Sequence, residues 1–344
     1  MTDTHSSPWS AGATPPPVPP HDGPFRPLRE YAELALPRVA LWHTALGLAV
    51  MALSFLVLSV AYALFVVRLD DSGEWEAQLS VNPLSGAPGP ALIFLASFLL
   101  LHLSLLLALR LVHGRSWASL LGAPPWRRWR QFWIGAAFAL ALALVPGLLG
   151  TLIDGIIALF QVGPEEAGGG LKQIRTLAQW LPWALPALPL ILAQSAAEEL
   201  IFRGYLLQQM AARFRSPIAW AVIPSLLFGF LHYNPAALGP LTWLHVLVAF
   251  VGGLILALVT ARLGSPLAAI GLHFAHNAIG LVFVGIEGFQ DAFALFVEEI
   301  PLTEHGLAPG PFIASAIIQI LVETLAFAFW WRWMNRRAAR HGGR

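Results

Sequence analysis

The stretch Ala45–Val67, ALGLAVMALSFLVLSVAYALFVV, carries no charged side chain. About 20 apolar residues in a helix cross the hydrocarbon layer of a bilayer, and a helix apolar on every side belongs in a large core or in lipid. This stretch is therefore read as a membrane span. Working outward from it gives seven more apolar runs: Pro90–Leu109, Phe132–Phe160, Trp180–Phe202, Ile218–Leu231, Leu241–Ala261, Pro266–Ile286 and Phe312–Trp331. The expected fold is an all-α, polytopic membrane protein of about eight transmembrane helices around an intramembrane active-site cavity. The third run is long and interrupted at Pro146–Gly147, which favours a kink or a tilt. The fifth is short and runs into His232 and Tyr233, so that end is expected to meet protein or a water-filled cavity.

Composition agrees with this class. Of 344 residues 57% are hydrophobic and 11% charged, with mean hydropathy +0.67, whereas soluble domains hold about 25% charged residues. The 20 basic and 19 acidic residues nearly cancel, so charge points to no nucleic-acid partner. Without cysteine there is no disulfide, no Cys-based metal site and no thiol nucleophile. All basic residues but Lys172 are arginine, which fits a GC-rich bacterial genome. Residues 1–25 contain PPPVPP and little apolar surface, and are expected to form a disordered, Pro-rich cytoplasmic tail. They lack a signal-peptide pattern, so the first span is expected to act as the targeting signal. Residues 26–344 are read as one helical membrane domain.

Threading eight spans from a cytoplasmic N-terminus puts 17 of the 20 basic residues on the cytoplasmic side, leaving Arg68, Lys172 and Arg175 outside. The positive-inside rule thus predicts a multi-pass cell-membrane protein with both termini in the cytoplasm.

Titratable groups within apolar spans are costly and mark function by default. One cluster is Ala196-Ala197-Glu198-Glu199-Leu200-Ile201-Phe202-Arg203. Glu199 and Arg203 have the four-residue spacing of a same-face ion pair, while Glu198, rotated by about 100°, is free to act. A second cluster is Phe228-Gly229-Phe230-Leu231-His232. Glu198 lies 17 residues before Arg215 and His232 lies 17 after it, which sets them at matching heights if Arg215 marks the turn of a hairpin. The third is His273-Phe274-Ala275-His276-Asn277, where His273 and Asn277 share a face and His276 competes with His273 for the same role. Gly252-Gly253 is read as close helix packing.

Together the three clusters resemble the CPBP family of intramembrane proteases, which includes the type II CAAX prenyl endopeptidases and the Abi, bacteriocin-immunity-like proteins. The pattern is a glutamate pair with a following arginine, then Phe-x-x-x-His, then His-x-x-x-Asn. Here these are Glu198, Glu199 and Arg203; Phe228 and His232; and His273 and Asn277. The resemblance spans about residues 180–285. It implies that Glu198, with His232, activates a water as a general base, and that His273 and Asn277 donate to the oxyanion. The family's naming as metalloproteases raises zinc as a cofactor, with Glu198, His232 and His273 as three ligands and water as the fourth. With no HExxH helix in the chain, the metal-free glutamate route is preferred. The Gly-x-Ser-Gly and Gly-x-Gly-Asp patterns of other intramembrane proteases are also missing. The implied partners are membrane lipid and a peptide or protein substrate that can itself be membrane-anchored. Prenylation of that substrate does not follow, since bacteria mostly do not prenylate proteins. Two rival readings are a transporter or channel built on Asp154 and on Gln319 with Glu323, and a non-catalytic scaffold or immunity factor.

Overall fold

The computed structural model describes residues 18–69, 72–122, 129–159, 171–298, 302–303, 306–307 and 309–341, and at 146–159, 302–303, 306–307, 311 and 341 the backbone alone. A short amphipathic helix, α1 (Arg26–Glu33), comes first, burying Leu28, Tyr31 and Ala32. The helices α2 (Leu41–Val66), α3 (Glu74–Val81) and α4 (Pro88–Ala108) follow, α4 ending in a π-turn over Leu109–His113. The next helix, α5 (Trp129–Leu159), runs through Pro146–Gly147 as one helix. After strand β1 (Leu171–Gln173), helix α6 (Leu177–Glu199) continues through a π-helical segment, Leu200–Leu206, into α7 (Leu207–Ala211). A π-turn at Ile218–Val222 leads into α8 (Ile223–Phe230), followed by α9 (Pro235–Leu238), α10 (Thr242–Leu263) and α11 (Leu267–Ala278), which ends in a π-turn at Ile279–Phe283. Strands β2 (Val284–Ile286), β3 (Phe296–Glu298), β4 (Leu302–Thr303) and β5 (Gly306–Leu307) precede the last helix, α12 (Pro309–His341).

Among the described residues five helical stretches are long and apolar enough to span a bilayer: Leu41–Val66, Pro88–His113, Leu177–Ala211, Pro235–Leu263 and Phe312–Arg340. Three shorter apolar stretches, Trp129–Val145, Ile218–Phe230 and Leu267–Phe283, fall on the third, fifth and seventh predicted runs. The protein is a helical, polytopic membrane protein, five of whose helices meet the length of a full span.

The all-α class stands, since helices make up most of the described residues, but two boundaries are corrected. Val284–Ile286 is not the helical end of the seventh span: it forms an edge strand of a small sheet of order β1-β3-β2, with β1 antiparallel and β2 parallel to β3. Val284 and Ile286 are β-branched, which suits a pleated strand, and β3 supplies the pairing. Arg175 Nη1 donates to the carbonyls of Asp291 (2.9 Å) and Ala294 (2.6 Å), which ties this cap to the start of α6. Nor is residue 25 the end of a disordered tail. Val18 and His21 are buried, His21 Nε2 donates to the Ala211 carbonyl at 2.9 Å, and the Phe25 ring packs on Trp220 and Trp331. Residues 1–17 lie outside the described residues.

Helix α6 starts at a capping box. The Thr176 hydroxyl accepts from the Gln179 backbone N–H and the Gln179 side chain accepts from the Thr176 N–H, which satisfies donors that a helix start leaves open. Pro182, Pro186 and Pro189 lie inside α6, where neighbouring helices re-satisfy the backbone that prolines disturb. α6 packs between α4 and α11, α11 packs closely on α5, and α10 lies against α8 and α12. The α5–α11 approach depends on glycine: a Cβ on Gly271 would overlap the Phe132 carbonyl oxygen, so backbone meets backbone as small residues allow in membranes. The core that results contains Phe132, Leu200, Ile201, Phe202, Tyr205, Phe228, Leu267 and Ile270. It brings α6, α8 and α11 together at the level of the two glutamates.

Candidate active site

The glutamate pair lies at the end of α6, where the helix widens into the π-helical Leu200–Leu206. Such widened turns are rare and gather at functional sites. Arg203, inside the widened segment, donates from Nη1 to Glu199 Oε1 at 2.9 Å, and both side chains are fully buried. The ion pair expected from sequence is therefore present. The Arg203 guanidinium also stacks 4.4 Å from the Phe228 ring centre, a cation–π contact strengthened by the burial of the arginine. Gly253 on α10 makes room for it: a Cβ there would sit 2.8 Å from Arg203 Nη2 and 3.1 Å from the Phe228 ring. Of the Gly252–Gly253 pair read as close helix packing, Gly253 is the close one and it serves the site directly, while a Cβ on Gly252 would meet Glu323 Oε2 at an ordinary 3.6 Å. Tyr31 on α1 supports the same turn, its hydroxyl donating to the carbonyls of Leu120 at 2.5 Å and Arg203 at 3.2 Å.

His273 on α11 joins the two carboxylates. Its Nδ1 lies 2.9 Å from Glu199 Oε1 and its Nε2 lies 3.6 Å from Glu198 Oε2. A carboxylate only accepts, so Nδ1 carries the proton toward Glu199. Glu199 is thus held from two sides, by Arg203 and by His273. Glu198 differs from the expectation of a free carboxylate facing His232. Its Oε1 accepts from Gln194 Nε2 at 2.6 Å, and Oε2 is buried with no hydrogen-bond partner. Asn277 Nδ2, one turn beyond His273, donates to Gln194 Oε1 at 2.9 Å. Gln194, which sequence reading passed over, therefore links the first and third clusters. Its signal was available: Gln194 and Glu198 have the same four-residue spacing as Glu199 and Arg203.

His232 is placed differently. Its Nδ1 donates to the Phe228 carbonyl at 2.9 Å, its ring packs on Phe228 at 4.6 Å and meets His245 of α10 at 5.6 Å. Phe228 in turn touches His273 at 6.1 Å between ring centres. Among the described residues His232 has no hydrogen bond or ion pair to Glu198; it joins the cluster through the Phe228 ring. His276 is exposed on α11 and has no bond to the glutamates. Gln319 Nε2 donates to Glu323 Oε1 at 3.0 Å, a pair that closes on itself along α12, and the Asp154 side chain lies outside the described residues.

The zinc set can be tested on this geometry. Glu198 and His273 face each other, whereas His232 packs on the Phe228 ring and has no bond to either. Among the described residues no three His, Cys, Asp or Glu side chains converge as a metal site. The residues do not fit a three-ligand zinc centre, and no step is routed through one. Beneath the site, outside the apolar spans, Arg115 donates to Gln208 Oε1 and Gln208 Nε2 donates to the Ser119 carbonyl at 2.9 Å. Burial pushes the Arg115 guanidinium down to about 10, which leaves it charged at neutral pH.

Residues 179–279 match the family model described as type II CAAX prenyl endopeptidase, Rce1-like. Over 104 residues the chain is 34% identical to the uncharacterized protein YyaK of Bacillus subtilis (strain 168). That alignment takes in 30% of this chain and 34% of the relative's length. No solved structure matches the chain.

Proposed function

We propose that this chain, whose residues 179–279 match the Rce1-like family model, is an intramembrane endopeptidase in which Glu198 activates water against a peptide bond of a membrane-associated substrate. The observation that supports the reading is the unequal pairing of two adjacent carboxylates. Each has one oxygen held and one without a hydrogen-bond partner, but Glu199 is bonded to the cationic Arg203 and to His273, whereas Glu198 is held only by the neutral amide of Gln194 and turns its open Oε2 toward His273 Nε2 at 3.6 Å. The carboxylate with no bonded arginine is the one left to act as a general base.

In this mechanism Glu198 Oε2 takes a proton from water, and the oxygen attacks the scissile carbonyl carbon. The carbonyl oxygen becomes an oxyanion, which accepts from the second N–H of Asn277 and, with His273 in its imidazolium form, from its Nε2–H. Collapse breaks the C–N bond, and the proton held on Glu198 passes to the departing amine. Arg203 neutralises Glu199 so that the site does not carry two uncompensated negative charges in a low dielectric. His232 forms the wall on the other side of Phe228. The substrate proposed is a membrane-anchored peptide or protein, and the arginine asymmetry supports a topology with both termini in the cytoplasm.

Purified protein in detergent, offered peptides derived from membrane proteins, tests the reading. Glu198→Gln keeps shape and should fold, while cleavage should fall by at least ~10²-fold, the usual contribution of a positioned base. Asn277→Ala should cost about 3 kcal/mol of transition-state stabilisation, and a chelator should leave the rate unchanged. Wild-type cleavage by Glu198→Gln would end the proposal. Reporter fusions after Gly306 and after Arg344 should report opposite sides of the membrane.

A further inference from the structure

We propose that Gln194 is a positioning residue, resting on the reading above, that presents one chosen oxygen of Glu198 to the reaction and parks Asn277 until substrate arrives. Its side chain is buried and makes contacts on both ends of the amide. Nε2 donates to Glu198 Oε1 at 2.6 Å, while Oε1 accepts from Asn277 Nδ2 at 2.9 Å and from the Ser195 hydroxyl at 3.2 Å.

The amide has only one workable orientation. Rotated by half a turn, its oxygen would face the Glu198 carboxylate and its NH₂ would face the NH₂ of Asn277, so both contacts would turn repulsive. The Glu198 carboxylate, which only accepts, therefore decides that Gln194 meets it with Nε2, and the Gln194 oxygen then orients Asn277 and Ser195 as donors. The carboxylate torsion is broad and nearly two-fold, so an unheld glutamate would offer either oxygen. A donor on Oε1 removes that choice and leaves Oε2, the atom turned to His273, as the basic one. The same contact engages one Asn277 N–H with Gln194 and leaves the other for an oxyanion. The relay joins α11 to α6 through one side chain, which couples the base to the oxyanion donor.

The test uses the full-length chain in detergent, with Gln194→Met and Gln194→Asn. The first removes donor and acceptor at similar volume; the second keeps an amide but is one methylene too short to reach both partners. Two readouts are taken. With ¹³C-carboxyl glutamate, the infrared difference between each protein and its Glu198→Gln counterpart isolates the Glu198 carboxylate stretch, whose splitting reports unequal hydrogen bonding of the two oxygens. Both variants should change that splitting, and an unchanged band in either folded variant overturns the inference whether or not cleavage is detected. In the cleavage assay kcat should fall about 10-fold, in the range of a lost hydrogen bond to a charged group, with KM unchanged. In an Asn277→Ala background the same substitution should cost less, as expected of groups sharing one network. Additive losses, or a loss confined to KM, also overturn it. A shifted band with no cleavage by the wild type upholds the contact and removes the protease reading instead.

Discussion

Arg29 and Glu33 on α1 lie 3.3 Å apart, with 53% and 47% of their side chains exposed. Glu199 and Arg203 have the same spacing and the same chemistry at 2.9 Å, with exposures of 0% and 1%. The exposed pair competes with water and with side-chain entropy, and such pairs contribute under about 1 kcal/mol. The buried pair has surrendered its hydration, so its stability depends on every remaining contact: His273 on Glu199, the Phe228 ring on Arg203, and the space left by Gly253. A third pair, Gln319 with Glu323, lies between these extremes, half-buried on α12 and hydrogen-bonded within its own helix. Spacing alone specifies that a pair forms. Surroundings decide whether the pair is decoration or foundation.

The comparison breaks most readily at Arg203. Arg203→Ala leaves Glu199 charged and buried, and should cost about 3–5 kcal/mol. It should appear as lost folded protein in size-exclusion profiles and a large fall in thermal unfolding temperature. A monodisperse, heat-stable Arg203→Ala protein would mean that the burial is not what makes this pair matter. Gly253→Ala is the next step down. The added methyl pushes on Arg203 Nη2 and Phe228 rather than removing a partner, and overpacking of this kind costs about 1–3 kcal/mol. Thermal unfolding should show it, and a neutral result would refute the role given to that glycine.

Gln319→Leu then gauges the intermediate case. Removing a hydrogen bond within a membrane helix should cost about 1 kcal/mol or less, and cleavage should persist, because among the described residues no hydrogen bond or ion pair joins this pair to Glu198. Loss of cleavage with intact folding would reopen α12 as a functional path. Arg29→Ala should move stability least, by about 0.5 kcal/mol or less, and only at low salt. A larger loss would show that α1 docks through its charges instead of through Leu28, Tyr31 and Ala32.

How much of this was legible from sequence follows the same division. The apolar runs located the helices because lipid demands length and hydrophobicity, both local properties. The Glu199–Arg203 pair was legible because four-residue spacing is also local. Gln194 was missed although its spacing to Glu198 is identical, since a lone amide in an apolar helix lacks the charge that drew attention to its neighbours. The matched heights of Glu198 and His232 followed from counting to Arg215, but counting does not reveal rotation about the helix axes, and His232 turns to the Phe228 carbonyl instead. The strands at Val284–Ile286 and Phe296–Glu298 were hidden because pairing is a property of two segments and neither is long enough to show alternation. Tyr31 left no trace at all: its acceptors are backbone carbonyls, which every residue has.

That tyrosine sets a timetable for assembly. It bonds to a carbonyl 172 residues further along the chain, so at about 5–20 residues per second the ribosome needs ~10–35 s to deliver the acceptor after Tyr31 has emerged. For that interval α1, apolar along Leu28, Tyr31 and Ala32, has the bilayer surface as its natural resting place, as amphipathic helices do. Helix α1 can therefore complete its contact with the widened turn only after Arg203, and with it the glutamate pair, has been made.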